Sequence, residues 1–291
     1  GYSADMLSAV VGRVGLLPPV KSGAYGVTEE MADVLMNRPV LEHASNLGGL
    51  IAKDIADEAG IPAYIYDSVS VDELSDVARI TGLSEIVRTS QSHCLNMRAA
   101  AIKTAQEMGS AYTDMNLVVA HLGGGISLSA HRHGQMLDIV SDDEGPFSPE
   151  RSGRLPIKNF IKLCAQHDIN EIKKMVRGNG GLVSLLGTNS ALEVQKRIDS
   201  GDERARLVYE AMAYQIAKSI GELAVVLDGE VDAIVITGGI AYSEFITEYI
   251  KKKVSFIAPV KILPGENELE SLAFGAYRVL TGEEKAHIFA E

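Results

Sequence analysis

The sequence predicts an α/β protein built as two lobes, and three observations predict it. At 291 residues the chain is long for one small module and ample for two lobes with cores of their own. Apolar runs bounded by glycine or proline alternate along it with stretches of helical period. The second half opens on three short strands joined by tight turns before the alternation resumes. The composition, 46% hydrophobic and 23% charged, is that of a folded protein and excludes wholesale disorder.

In order along the chain, Ala9-Val10-Val11 reads as a strand ending in Gly12-Arg13-Val14-Gly15, with a Pro18-Pro19 loop after it. Thr28 caps a short helix whose first turn carries Glu29 and Glu30, where acids suit the helix dipole. Glu42–Ala59 has the helical period, with Leu47, Ile51 and Ile55 on one face and Gly60 closing it. Gly48-Gly49 inside that helix predicts the close approach of another backbone. Ile61–Tyr66 is the next strand, ending at Asp67, and Ser70 with Glu73 has the capping-box spacing for a third helix. Leu95–Met108 is a helix stopped by Gly109.

The period then changes. Leu117–Leu122, Ile126–His131 and Met136–Val140 read as an antiparallel meander, with turns at Gly123-Gly124-Gly125 and His133-Gly134. A long loop, Ser141–Gly153, leads to a helix near Pro156–Gln166. Glu203–Leu227 is the strongest helix, with Val208, Met212, Ile216, Ile220, Leu223 and Leu227 on one stripe. A strand Asp232–Thr237, a Gly238-Gly239 turn, a helix after Ser243, a strand Val260–Leu263 and a helix Leu269–Leu280 follow. A meander followed by alternating helices and strands is the plan of a ribonuclease-H-like lobe. The first half shows only strand, helix, strand, and the chain starts at Gly1 rather than Met. The expectation is therefore an internal pseudo-repeat whose first lobe is truncated at its N-terminus.

Charge and composition exclude several function classes. A net charge of −12 argues against a nucleic-acid partner, because phosphate backbones demand basic patches. Apolar runs such as Leu223–Leu227 and Ala233–Ile236 are far too short to span a bilayer. No basic stretch followed by an apolar core marks a signal peptide at Gly1–Asp5. Cys94 and Cys164 form no disulfide framework and lack metal-ligand spacing, so a reducing, cytoplasmic setting is expected, with both thiols as small buried groups.

An acidic protein that binds an anion must do so with placed groups. Gly123-Gly124-Gly125 between apolar strands lets backbone N–H groups approach a phosphate, although a plain hairpin turn has the same look. Gly238-Gly239 follows a buried strand and precedes a helix, a frequent nucleotide-contact geometry that is weak by itself. Arg151 lies in a loop stiffened by Pro146 and Pro149, and Arg13 stands at a strand end; guanidinium groups clamp carboxylate and phosphate, or form surface ion pairs. Asp67, Glu268 and Glu270 are candidate magnesium carboxylates, with turn or first-turn helix acids as the competing reading. His93 precedes a helix, where a neutral imidazole donor is favoured, or is a buried histidine with a satisfied hydrogen bond.

Taken together, Val11-Gly12-Arg13, Glu42-His43-Ala44-Ser45-Asn46-Leu47-Gly48-Gly49, His93-Cys94-Leu95-Asn96, His121-Leu122-Gly123-Gly124-Gly125-Ile126-Ser127, Gly145-Pro146-Phe147-Ser148-Pro149-Glu150-Arg151-Ser152-Gly153 and Ile236-Thr237-Gly238-Gly239-Ile240-Ala241 resemble the acetokinase family. The family belongs to the acetate and sugar kinase, heat-shock and actin superfamily, and the motifs follow its order from about residue 9 onward. The resemblance implies two ribonuclease-H-like, actin-like ATPase lobes, the remainder of the first at 1–82 with a C-terminal helix over 275–291 packing back on it, and the second at 83–274. It implies transfer of the ATP γ-phosphoryl group to a short-chain carboxylate with magnesium, butanoate preferred, with acetate, propionate or a branched acid as alternatives. It implies that Arg13 and Arg151 meet the carboxylate and the transferring phosphoryl group, that Asp67 lies near magnesium and substrate, and that His93 donates to phosphoryl oxygens. His121 with Gly123, Gly124 and Gly125 would form a phosphate loop, Gly238 and Gly239 the adenosine turn, and Glu268 or Glu270 the magnesium-linked acid. A homo-oligomer is expected as well. Asn96 stands where acetate kinases carry a second histidine, as in the family's butyrate kinases, and Ser92 replaces an aromatic residue before His93. The family's N-terminal meander, with a first phosphate loop, has no counterpart here, so a catalytically impaired nucleotide-binding fragment is the competing functional reading.

Overall fold

A computed structural model of the chain describes residues 3, 6–14, 16–40, 42, 44–90, 92–266 and 268–290. Gly15 and His43, which belong to motifs quoted above, lie outside the described residues. The chain divides into two units, one of residues 1–99 with 267–291 and the other of residues 100–266. The division falls inside a helix and at the start of the last one, whereas the sequence reading set it at 82/83 and 274/275.

In the first unit, β1 (Val10–Gly12), β2 (Ala24–Gly26) and β3 (Ala63–Tyr66) form a sheet in the order β1-β3-β2. β1 runs parallel to β3, with Val11 opposite Tyr64, and β2 runs antiparallel to it, with Tyr25 opposite Ile65. The crossover carries α1 (Glu29–Asn37) and α2 (Leu47–Ala59). Thr28 caps α1 as expected, its hydroxyl accepting from Met31 N at 3.2 Å. α2 lies against β1 at very short range: a Cβ on Gly12 would run into Gly48 O, and one on Gly48 into Arg13 O. That approach decides which face α2 buries. Gly49, Ala52 and Ala56 face inward, and Leu47, Ile51 and Ile55, the stripe read as the packed face, are 54%, 55% and 40% exposed. Large side chains cannot fit where two backbones nearly touch.

The capping box is also corrected. Ser70 Oγ accepts from Leu17 N at 2.8 Å and Glu73 Oε1 takes both Ser22 N and Ser22 Oγ, so both side chains hold the 17–22 loop. The short helix α3 (Asp76–Arg79) starts later, after Ser75. β2 was not read from sequence at all; Ala24-Tyr25-Gly26 is three residues long. Its far side is occupied by the last residues of the chain, with His287 N donating to Ala24 O at 2.7 Å and Gly26 N to His287 O at 3.4 Å. α11 (Glu268–Thr281) packs on β1 and β3, and Gly275 exists because a Cβ there would meet the Tyr66 ring at 2.5 Å. Leu95, in the first turn of α4 (Cys94–Glu107), joins Ala24, Tyr66 and Leu272 in one cluster, which places the start of α4 in this unit.

The second unit is a five-stranded sheet in the order β6-β5-β4-β7-β8. β4 (Leu117–Leu122), β5 (Ile126–Arg132) and β6 (Gln135–Val140) form the expected meander, and β7 (Ala233–Gly238) and β8 (Val260–Pro264) add on parallel to β4. β4 and β7 are buried along their whole length, the condition of strands covered on both faces. α9 (Glu203–Val226) lays Met212, Ile216, Ile220 and Leu223 over the meander, and all four are buried. α10 (Glu244–Val254), capped by Ser243, packs beside it. α5 (Ile157–Cys164) matches its expected span, and Cys164, expected buried, is exposed while Cys94 is buried. Three helices went unread: α6 (Ile169–Val176), α7 (Gly181–Leu186) and α8 (Ala191–Asp199). His131 is buried in β5 between Tyr112 Oη at 2.7 Å and Ser129 Oγ at 2.6 Å. Among the described residues no helix is long and apolar enough to cross a membrane.

Candidate active site

In the second unit the glycine hairpin is a tip, not only a turn. Leu122 pairs with Ile126, Gly123 N donates to Gly125 O at 3.0 Å, and Gly124 stands exposed between them. A Cβ on Gly124 would meet only Glu150 Oε2, at 3.9 Å, so the space in front of this peptide is open. Gly123 is different: a Cβ there would lie 3.2 Å from His121 Nε2 and 3.3 Å from Glu266 Oε1. His121 is fully buried at the end of β4, with Nε2 3.2 Å from Glu266 Oε1. Gly238 has φ +93° and its missing Cβ would strike the backbone of Leu122 at 2.5 Å, so this glycine lets β7 end flush against β4. Gly239 next to it faces open space.

The Arg151 loop is tied to that tip. Ser148 Oγ, fully buried, donates to Gly124 O at 2.7 Å, and Ser148 N donates to Arg151 O at 3.1 Å. Underneath, Gly180 and Gly181 at the start of α7 come so close that a Cβ on Gly181 would overlap Ser148 O. The Arg151 guanidinium contacts Asp142 through Nη1, and Arg177 Nη2 reaches the same carboxylate at 3.5 Å. Burial, and then the charge of Arg177, lowers the Arg151 pKa to about 10.

In the first unit, Arg13 leaves the end of β1 and its Nη1 binds Glu268 Oε2 at 2.6 Å. Glu268 Oε1 accepts from Asn96 Nδ2 at 3.3 Å, so the end of β1, α4 and the first turn of α11 meet on one carboxylate. Glu270, one turn edge away, is exposed. Asp67 sits at φ +43° just past β3 and is buried. Its Oδ1 accepts from Gly23 N at 2.8 Å, and Arg98 Nη1 lies 3.2 and 3.1 Å from its two oxygens. Burial pushes its carboxyl above the ordinary value, and Arg98 and the Gly23 amide pull the other way. Arg98 also donates to Tyr66 Oη at 2.6 Å, as does Arg278 at 2.6 Å, and Tyr66 Oη meets Glu284 Oε2 at 2.8 Å. His93 precedes α4, half-buried, its carbonyl accepting from Met97 N at 3.0 Å.

The structure thus joins Arg13 with Glu268, gathers His121 with Gly123, and ties Gly124 to the loop of Arg151. It leaves Glu270 apart from Glu268's partners and gives Asp67 an arginine partner that the sequence reading did not name. Arg98 was legible as the one cation among Cys94, Leu95, Met97, Ala100 and Ala101 at the start of α4. Ser148, Arg177 and Glu266 carried no such mark, because their partners Gly124, Asp142 and His121 lie tens of residues away.

A meander extended by parallel strands, with helices alternating between them, places the chain in the class of actin-like ATPase architectures. Residues 83–283 match the acetokinase family. The chain is 50% identical over 99% of its length to a "probable butyrate kinase" of Listeria innocua, and spans 82% of that protein. It is 49% identical over 98% of its length to butyrate kinase 2 of Clostridium acetobutylicum, and spans 81% of that protein. An acetate kinase structure from Porphyromonas gingivalis covers 96% of this chain and is covered over 79% of its own, with a TM-score of 0.83 at 20% identity, and so shares its fold. The chain belongs to the acetokinase family, and it is a phosphotransferase with a carboxyl group as acceptor.

Proposed function

We propose that the protein is a butyrate kinase, which moves the γ-phosphoryl group of ATP to butanoate and yields butanoyl phosphate and ADP. The observation that carries the phosphoryl-transfer part is the open Gly124 tip fastened by Ser148 to the Arg151 loop, because that fastening holds the backbone of a guanidinium residue beside N–H groups that an anion can approach. The acceptor is supported by the names of the relatives at 49–50% identity and by Asn96.

In this reading a butanoate oxygen attacks the γ-phosphorus, the bond to the β-γ bridging oxygen breaks, and ADP leaves with that electron pair. The protein's work is positioning and charge stabilisation, and a well-placed arginine is worth about 10³–10⁵ in rate. Arg13 holds the carboxylate or the transferring group, with Glu268 fixing its fork. In the second unit Arg151 and the Gly124 and Gly125 amides receive the phosphoryl oxygens, Gly123, whose amide is taken by Gly125 O, packs against the His121 wall, and Gly238–Gly239 forms the adenosine turn; in the first, His93 donates to phosphoryl oxygens.

Magnesium fits this site as a partial protein set. Among the described residues no three His, Cys, Asp or Glu side chains converge as a cage. Magnesium held with ATP takes one or two carboxylates and fills the rest with phosphate and water, so Glu270, exposed, would hold the ion, while Arg13 and Asn96 take up the two oxygens of Glu268. Bound there, it would neutralise the phosphate charge. Asp67 does not fit as a direct ligand, since Gly23 and Arg98 take up its oxygens; it acts through charge. Self-association belongs to the reading, supported by Val77, Ile80, Leu83, Ile86 and Val87, all exposed in one short segment.

The test is acyl phosphate trapped by hydroxylamine, with ATP, magnesium and a series of acids. Butanoate is expected to give the highest kcat/KM. A higher value for acetate or propionate overturns the acceptor, and nucleotide binding with no product from any acid favours an impaired nucleotide-binding module.

A further inference from the structure

Two arginines share one carboxylate in the second unit. Residues 150–152 and 176–178 run antiparallel, with Ser152 N donating to Val176 O at 3.0 Å and Gly178 N to Glu150 O at 2.8 Å. Arg151 and Arg177 are the directly paired residues of this short ladder. Paired residues project to the same side, where like charges oppose each other unfavourably. Both guanidinium groups reach Asp142, Arg151 in direct contact and Arg177 at 3.5 Å. The other acids of the loop are engaged elsewhere: Asp143 and Glu144 accept from Ser141 Oγ, and Glu150 from Asn189. Two cations on one carboxylate leave a local positive excess in a chain of net charge −12.

Neither guanidinium is used up. Arg151 Nε is buried with no hydrogen-bond partner among the described residues, and the Arg177 side chain is 67% exposed on a long contact. The lowered Arg151 pKa, caused by burial and by Arg177, registers the repulsion between them. The pair also lies two hydrogen bonds from the glycine tip, through Ser148.

We infer that Arg177 is a second phosphoryl-binding guanidinium, which with Arg151 clamps a multiply charged phosphate oxyanion while Asp142 keeps the pair in register. A carboxylate carries one charge and matches one arginine; a terminal phosphoryl group carries close to two and matches both. The inference rests on the reading of Arg151 as a phosphoryl ligand.

The test titrates the full chain with inorganic pyrophosphate by calorimetry, beside hydroxamate turnover with ATP and butanoate, for Arg177→Gln, Arg177→Lys and Arg151→Gln. Arg177→Gln is expected to weaken pyrophosphate binding and lower kcat/KM for ATP by about tenfold each, with the melting temperature unchanged, and Arg177→Lys to recover part of both because it keeps charge without the fork. Wild-type binding and turnover in Arg177→Gln, with Arg151→Gln losing both, overturns the inference and leaves Arg151 in place. Wild-type values in Arg151→Gln overturn the reading of Arg151, and the clamp with it. Should Arg177→Gln melt early, Arg177→Lys decides: intermediate affinity supports the clamp and wild-type affinity overturns it. No pyrophosphate binding by the unaltered chain overturns it outright.

Discussion

Asp67 and Arg98 form a pair whose side chains are almost removed from water, and a pair of that kind is costly to halve. Arg98→Met should destabilise the protein by about 3–5 kcal/mol at neutral pH. With the cation gone, burial is opposed only by the Gly23 amide and lifts the folded-state carboxyl of Asp67 further above the unfolded value. The folded chain then holds a proton the unfolded chain releases, so stability falls as pH rises above the unfolded value, and the deficit should be larger near about pH 8 than near about pH 5. Thermal melts of both proteins at the two pH values check this; an equal deficit refutes it. The glycines divide just as sharply. Gly238→Ala must hold φ +93° against the Leu122 backbone and should cost about 1–3 kcal/mol or more. Gly124→Val meets open space, so it should stay within about 0.5 kcal/mol of wild type while raising the apparent ATP constant. Melts beside nucleotide titration separate the two. From sequence both were turn glycines with a nucleotide-contact reading beside the plain one. Residue type announced them, and only the backbone neighbours distinguish a glycine that packs from one that faces open space.

At the scale of elements, hydrophobic period found the long pieces and missed those decided by contact. α9 was legible because its six-residue stripe lies over a flat sheet. α2 was legible as a helix and misread as a face, because Gly48 and Gly49 bring it against β1 where only small side chains fit. Ser70 and Glu73 have capping-box spacing, yet the 17–22 loop claims both side chains. α6, α7 and α8 are six to nine residues long and polar outside a few positions, too short for a period to stand out. The Arg151 loop was marked by its prolines, but its fastening at Ser148 was not. Ser148→Ala removes one buried hydrogen bond, worth about 1 kcal/mol of stability. Its effect on turnover should be larger, about tenfold or more in kcat, since misplacing a catalytic group by about an ångström can cost on the order of 10²-fold. Faster hydrogen exchange over 143–153 should accompany it. A kcat loss no larger than the stability loss would mean that the loop is held without Ser148 Oγ, by the ladder with 176–178 and the close contact of Gly180 and Gly181.

For the whole molecule, the fold class was legible because the meander and the alternation after it are local patterns, whereas the first unit joins residues far apart in the chain, and an expectation for it, 275–291 against 1–82, came only with the family resemblance. Its last residues are structural: Glu284 binds Tyr66 and Arg278, Phe289 is buried, and His287 covers the free edge of β2. Removing residues 283–291 should therefore lower the melting temperature and raise hydrogen exchange in β2 and β3, with β4 and β7 unchanged; uniform exchange across both units would contradict that. The same arrangement bears on how the chain is made. A ribosome delivers β1, β2 and β3 before the second unit and the segment that joins them, 267–291, after it. Residues 100–266, the other unit, are all in place before that segment is made. The part that is second in sequence is thus complete first, while β1, β2 and β3 wait through the synthesis of residues 100–266 with an open edge. During that interval the nascent first segment is the one that a chaperone would have reason to hold.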